Sequence, residues 1–80
     1  MKFQLIAPSV GDKTKSCVLT RWHKNDSIHV ARGDLIATLE TKKATLDMEA
    51  EHDGHLHHSV REGMTVVFGD SIGYIDCDGL

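Results

Sequence analysis

The sequence has no long apolar segment, and this absence limits the kind of protein it can encode. No apolar run approaches the length that a helix needs to cross a bilayer, and the first residues lack the apolar centre of a secretory signal peptide. The apolar spacing of an amphipathic helix is also missing along the chain. We therefore expect a protein that is built from strands and does not enter a membrane.

Cysteine is scarce, and positive charge is not in excess. Cys17 and Cys77 lack the spacing of a metal-binding motif. We expect reduced thiols in a bacterial cytoplasm or a mitochondrial matrix, with a disulfide between them as the alternative. The formal net charge of −3 argues against nucleic acid or an anionic membrane as the main partner.

What the sequence does contain is a series of short apolar segments separated by turn residues. Eighty residues are expected to form one small domain, 1–80, with a modest core. Closely spaced short strands without helices are typical of a β-sandwich or barrel. Strands are predicted at 3–8, 17–22, 28–30, 35–39, 46–51, 55–60, 66–68 and 71–76.

The sequence also contains an internal repeat. Residues 30–39 align with residues 66–75 without a gap, and glycine-aspartate precedes a strand in both segments. The two halves are therefore expected to be one supersecondary unit used twice, related by an approximate two-fold axis. The predicted core consists of Leu5, Val18, Trp22, Val30, Ile36, Leu39, Leu46, Met48, Leu56, Val66, Ile72 and Ile75.

A polar segment separates two predicted strands near the middle of the chain. Two strands joined by a few polar residues form a hairpin, and Lys42 and Lys43 would lie at its tip on a rigid base. Two exposed lysines are by themselves usually an ordinary solvated turn, so a functional interpretation depends on the surrounding pattern. The segment reads Glu40-Thr41-Lys42-Lys43-Ala44-Thr45.

This pattern resembles the lipoyl domain of 2-oxo acid dehydrogenase complexes, in the biotinyl/lipoyl attachment family. That family has Glu-Thr-Asp-Lys-Ala at its hairpin, and counting along it places the modified lysine at Lys43. Trp22 falls where the family often has a tryptophan, and the resemblance runs from about Phe3 to Ile75. The motifs that carry it are Gly33-Asp34-Leu35-Ile36, the hairpin segment, Ala50, Asp53-Gly54, and Pro8-Ser9-Val10-Gly11-Asp12.

The resemblance implies a fold, a cofactor and partners. The fold would be a flattened β-barrel, a barrel-sandwich hybrid of two small antiparallel sheets with quasi-two-fold symmetry. Lipoate on Lys43 would carry acyl groups and reducing equivalents between the active sites of a 2-oxo acid dehydrogenase complex, and the domain would not itself be an enzyme. The implied partners are a lipoate ligase or lipoyl transferase, a thiamine-diphosphate-dependent decarboxylase, an acyltransferase catalytic core and a flavin-dependent dihydrolipoyl dehydrogenase.

The sequence departs from the family in three places. The family's aspartate before the modified lysine is Lys42 here, which makes the tip doubly positive, and Ser27-Ile28 replaces an expected Gly-Asp. The segment from Gly54 to Gly63 is one residue short of the family's spacing, so the fifth strand is expected to lack a bulge.

The resemblance also implies recognition residues. Glu40, Thr41, Lys42 and Ala44 would form the context of the modified lysine, and Gly11, Asp12, Lys13 and Lys15 would help to select the decarboxylase.

Two other functions stay open from the sequence. A biotinyl carrier domain usually brackets its lysine with methionines, whereas Lys43 lies between Lys42 and Ala44. An interaction module could also keep the fold without any modification.

Two clusters of polar residues have plainer explanations than a site. His52, His55, His57 and His58 are expected to form a solvated face without a metal. Asp47, Glu49, Glu51 and Asp53 are expected to form a solvated strand edge, with a docking surface for a basic partner as the alternative.

Overall fold

The protein is an all-β structure of two antiparallel sheets, as the sequence predicts. A computed structural model describes residues 1–9 and 15–77, and this part of the chain contains strands and no helix. It therefore contains no helix that could cross a membrane. The strands are β1 (Lys2–Ile6), β2 (Ser16–Trp22), β3 (His29–Val30), β4 (Leu35–Glu40), β5 (Thr45–Glu49), β6 (Gly54–His58), β7 (Thr65–Val67) and β8 (Ser71–Asp76).

The strand order leaves one hairpin within a sheet. One sheet has the order β1-β8-β6-β3 and the other the order β5-β4-β2-β7. Among the described strands, β4 and β5 are the only consecutive pair in the same sheet, because every other connection crosses to the opposite sheet. The lysine segment is this one connection, so its strands are the only neighbours along the chain that are also paired neighbours in space.

The repeat in the sequence is a repeat in the structure. Gly33 and Gly69 both have positive φ, at 94° and 95°, which suits glycine because it has no Cβ to clash in that region. The N–H of Gly33 donates to the carbonyl of Ala50 at 2.8 Å, and the N–H of Gly69 donates to the carbonyl of Ala7 at 3.0 Å. Both alanines are buried. Each half is therefore closed by the same bond, which supports the two-fold relation predicted from the sequence.

A second pair of equivalent turns shows what Ser27 does in place of glycine. Gly63 has φ 89°, and Ser27, at the matching place in the first half, has φ 66°. Ile28 N–H bonds to the carbonyl of Asn25, as Met64 N–H bonds to that of Arg61 in the other half. Ser27 is the one non-glycine residue with positive φ in the described part of the chain. That conformation costs an L-residue about 1–2 kcal/mol.

Most of the predicted core is buried, and Val18 is the exception. Leu5, Val30, Ile36, Leu39, Leu56, Val66, Ile72 and Ile75 are buried, and Trp22, Leu46 and Met48 pack partly buried against them. Val18 is 36% exposed, whereas its neighbours Cys17 and Leu19 are buried. The pairing of β2 with β4 shifts register between Leu19 and Arg21, so inward and outward side chains do not alternate regularly along β2. Regular alternation from the inward-facing Trp22 would place Val18 on the inner face, whereas the shift places it on the outer face.

We expect the substitution Ser27→Gly to stabilise the protein. Glycine adopts positive φ without a Cβ clash, although it adds entropy to the unfolded chain. The net gain should be about 0.5–1 kcal/mol, which corresponds to a rise of about 2–8 °C in the thermal unfolding midpoint. The matched control is Gly63→Ala, which introduces the same strain at the equivalent turn and should lower the midpoint. A lower midpoint for Ser27→Gly would contradict the proposed strain.

Candidate cofactor-attachment site

The paired strands β4 and β5 form a firm base beneath the lysine tip. Their pairing runs from Leu35 opposite Glu49 to Glu40 opposite Thr45. At the far end, the N–H of Thr41 donates to the carbonyl of Ala44 at 2.8 Å. Only the backbone between these two residues extends beyond the last cross-strand bond.

The side chain of Thr41 holds the turn. Its Oγ1 accepts hydrogen bonds from the N–H of Ala44 at 3.0 Å and from the N–H of Lys43 at 3.2 Å. It also lies 3.3 Å from the carbonyl oxygen of Ala44, to which its hydroxyl can donate. Tight two-residue hairpins usually need positive φ and therefore glycine or asparagine, but neither Lys42 nor Lys43 has positive φ. The hydroxyl of Thr41 supplies the contacts for the turn instead.

The tip presents the two lysines outward, as the sequence predicts. Lys42 and Lys43 are exposed, whereas Thr41 and Ala44 on either side are half-buried. Beneath them, Leu39 is fully buried and faces Leu46 across the hairpin. The backbone of the tip is thus anchored to the core while the lysine side chains project from it.

A groove of about 680 Å³ lies beside the tip and brings together residues that are distant in the sequence. Lys15 lines it together with Lys42 and Lys43, and Glu40 is the one acidic residue among its lining residues. One of the predicted recognition residues, Lys15, is therefore next to the lysine tip, while Gly11, Asp12 and Lys13 lie outside the described residues. The remaining lining residues are Ser16, Cys17, Val18, Thr20, Thr41 and Thr65.

The sequence interpretation missed Val18, Thr20 and Thr65 as part of this surface. Val18 lies opposite Glu40 in β4 and opposite Thr65 in β7. The side chains of Val18, Glu40 and Thr65 therefore share the outer face of the sheet. Apolar Val18 on this face was mistaken for core because the irregularity in β2 has no signal in the sequence.

Cys17 lines the groove as a packing residue. Its thiol lies 3.7 Å from the carbonyl oxygen of Val66, to which it donates, and burial raises its pKa. A raised pKa keeps the side chain as the neutral, weakly nucleophilic thiol near pH 7. Cys17 and Cys77 are both free thiols, as expected from the sequence.

Three histidines of the cluster that was expected to be a solvated face are half-buried and make aromatic contacts. The ring of His58 stacks on Trp22 with centroids 3.8 Å apart, and its Nε2 lies 2.9 Å from the carbonyl of Lys24. His57 stacks on Tyr74, and His52 on Phe3. Within residues 1–9 and 15–77, no three histidine, cysteine or acidic side chains are placed to hold a metal ion.

Two aspartates accept hydrogen bonds from backbone N–H groups. Asp53 accepts a hydrogen bond from the N–H of Arg32 at 2.7 Å, so one member of the predicted acidic edge closes a turn. Asp26 accepts the N–H of His58 at 2.8 Å, and this backbone hydrogen bond lowers the pKa of the carboxyl group.

A two-sheet β-sandwich with an exposed lysine on a closed hairpin is the arrangement expected of a carrier domain, in which a side chain bears a covalently attached group. A family model described as "Biotin-requiring enzyme" matches residues 3–75. The solution structure of the lipoyl domain of the 2-oxoglutarate dehydrogenase complex from Azotobacter vinelandii superimposes with a TM-score of 0.80 at 30% identity, covering 95% of this chain and 98% of that domain. The chain belongs to the biotin/lipoyl attachment family and is a lipoyl carrier domain.

Similar chains occur as parts of larger enzymes. The succinyltransferase component of the 2-oxoglutarate dehydrogenase complex from Rickettsia felis is 31% identical over 95% of this chain, and that from Pseudomonas aeruginosa is 30% identical over 99%. The chain spans 19% and 20% of their respective lengths. The β subunit of the pyruvate dehydrogenase E1 component from Rhizobium meliloti is 35% identical over 68% of the chain, which spans 12% of that protein.

We expect Thr41→Val to loosen the tip while the rest of the fold persists. Valine keeps the shape of threonine but removes the oxygen that accepts the N–H groups of Lys43 and Ala44. Loss of these bonds should speed hydrogen exchange of both amides by about three- to tenfold, equivalent to about 0.7–1.4 kcal/mol. Thr41→Ser retains the hydroxyl and is the matched control. Unchanged exchange in the valine variant would show that the hydroxyl does not hold the turn.

Proposed function

We propose that Lys43 is the lipoylated residue and that the arm built on it serves a 2-oxo acid dehydrogenase complex. The observation that carries this proposal is the hairpin tip, where Oγ1 of Thr41 accepts hydrogen bonds from the N–H groups of Lys43 and Ala44 and so orients the backbone of Lys43. The family motif, counted from Gly33 and from Gly54, supports Lys43 rather than Lys42 as the acceptor. Because the matching succinyltransferases belong to 2-oxoglutarate dehydrogenase complexes, 2-oxoglutarate is the first substrate to test.

The residues of the tip fit this cofactor. Attachment requires an accessible primary amine, and the Lys43 side chain is exposed at the end of a hairpin that hydrogen bonds close. When bound, lipoate supplies a dithiolane whose disulfide can take up an acyl group and two electrons. The domain contributes presentation, because a tethered group reaches successive active sites at a high effective concentration.

The domain needs no catalytic residue of its own for this role. Of the side chains that line the groove, the buried Cys17 has a raised pKa and is therefore a poor nucleophile. The chemistry is assigned to the partners: a lipoate ligase or lipoyl transferase for attachment, and then the thiamine-diphosphate-dependent decarboxylase, the acyltransferase core and the flavin-dependent dihydrolipoyl dehydrogenase.

The relatives named above come from bacteria, so we propose the bacterial cytoplasm as the location rather than a mitochondrial matrix.

The first test is which lysine accepts the lipoyl group. Lys43→Arg should abolish the mass increase on incubation with a lipoate ligase, ATP and lipoate, because arginine keeps the charge but offers no acylatable amine. Lys42→Arg is the matched control and should be modified almost as fast as the parent, because successive side chains at a hairpin tip point in different directions. An adduct mapped to Lys42 in the parent protein would overturn the assignment. Attachment of biotin by a biotin ligase would favour the alternative carrier function.

The second test concerns partner choice by the loop between β1 and β2. Replacing Asp12, Lys13 and Lys15 by alanine should slow reductive acylation by the decarboxylase, because Lys15 lines the groove beside the tip and loss of charge that attracts a partner lowers the association rate. The thermal midpoint should stay nearly unchanged, since charged side chains in a polar loop usually contribute less than about 0.5 kcal/mol to stability. The single variant Lys15→Ala tests the residue that lines the groove separately from Asp12 and Lys13. Equal acylation rates in the triple variant and the parent would remove the loop from recognition.

A further inference from the structure

The two sheets end in edge strands that border a second groove. In the described part of the chain, β1 pairs only with β8 and β5 pairs only with β4, so the outer edges of both strands retain unpaired backbone positions. Two adjoining hollows of about 800 Å³ and 200 Å³ lie along these strands. They share the lining residues Ile6, Met48, Glu49, Glu51 and His52, and we call this continuous surface the edge groove.

The edge groove combines an apolar base with acidic walls. Ile6 is 45% exposed and Met48 is half-buried, which leaves apolar surface within reach of a ligand. Asp47, Glu49 and Glu51 are exposed and alternate with the inward-facing residues of β5. Acidic side chains on an edge strand can by themselves discourage aggregation, but the exposed Ile6 beside them adds a surface that water solvates poorly.

Aromatic stacking bounds the edge groove on one side, and residues of the turn before β4 line it on another. The ring of His52 on one side stacks on Phe3 of β1 with centroids 3.6 Å apart, which links the two edges. Arg32 also lines the larger hollow and is its one lysine or arginine, whereas its acidic lining residues, Asp47, Glu49 and Glu51, all lie along β5 or just after it. The segment from Asp47 to Glu51 would span about 17 Å when extended, the length of a five-residue strand.

We propose that the edge groove binds an extended basic segment of a partner protein, which adds as a strand along β5. A sequence that alternates lysine or arginine with an aliphatic residue matches it on both faces, since side chains alternate along a strand. The aliphatic residues would contact Ile6 and Met48, and the basic residues would meet the carboxylates of Glu49 and Glu51. This surface shares no lining residue with the groove at the lysine tip, so the proposal stands apart from lipoylation.

The probe is a labelled peptide of sequence Lys-Val-Lys-Val-Lys-Val, titrated against the 80-residue chain by fluorescence anisotropy and amide NMR. We expect saturable binding, with shift changes confined to residues 3–6 and 47–52. The double substitution Glu49→Gln and Glu51→Gln should weaken binding by about five- to tenfold, because it removes the charges and keeps the shape. Salt at about 0.5 M should weaken binding as well, since it screens exposed charges.

Three controls make the result specific. Glu40→Gln removes an exposed carboxylate outside the edge groove and should leave the affinity unchanged. Lys43→Arg should also bind normally, which separates this surface from the lysine tip. A peptide of the same sequence with alternate backbone amides methylated should lose binding if the peptide adds as a strand.

Several outcomes would overturn the proposal. Failure to saturate, an equal loss of affinity in Glu40→Gln, or shift changes centred on the lysine tip would each exclude the edge groove as the binding surface. Binding of the acidic peptide Glu-Val-Glu-Val-Glu-Val with the same affinity would exclude charge recognition. A concentration-dependent dimer in sedimentation, broken by the peptide, would assign the groove to a second copy of this chain.

Discussion

The structure depends on a backbone hydrogen bond that occurs once in each half. In one half the N–H of Gly33 bonds to the carbonyl of Ala50, and in the other the N–H of Gly69 bonds to the carbonyl of Ala7. Each bond closes the base of a strand pair, β4 with β5 and β8 with β1. The positive φ of the glycine aims the N–H, and the small buried alanine lets the chains approach. Because both sheets use the same closure, the two halves present equivalent edge strands.

The same closure explains how a small lysine tip is anchored to the rest of the fold. Below the tip, the β4–β5 ladder is closed at its base by Gly33 and Ala50, and at its top by Thr41 and Ala44. Lys42 and Lys43 therefore extend from a ladder that is bonded at both ends. A carrier domain needs this combination, since the attached arm must move while the point of attachment stays in place for its partners.

The positive charge at the tip sets this lipoyl domain apart from its family pattern. Lys42 stands where the resemblance expects aspartate, and Lys15 lines the same groove. Partners that approach the tip therefore meet a basic surface, whereas the edge groove is lined on its β5 side by Asp47, Glu49 and Glu51. The chain has a net charge of −3, yet lysines outnumber acidic residues around the groove beside the tip and acidic residues outnumber basic ones around the edge groove, so the two surfaces can recognise different partners.

Local chemistry determined the parts of this protein that the sequence could predict. The strands follow from short apolar segments and turn residues, the repeat from its matching glycines, and the hairpin from the polar segment around Lys43. Even the departure at Ser27 was visible, although only the structure shows that serine adopts the positive φ of its glycine counterpart.

Tertiary structure decided which side chains meet. The irregularity between Leu19 and Arg21 turned Val18 outward, because strand pairing with β4, and not the residues of β2 alone, sets the register. Lys15 and Thr65 line the groove beside the lysine tip, and β1 borders the same groove as β5, through packing between segments far apart in the chain. Local residue patterns specify strands and turns, but such proximity depends on how two sheets close over a shared core.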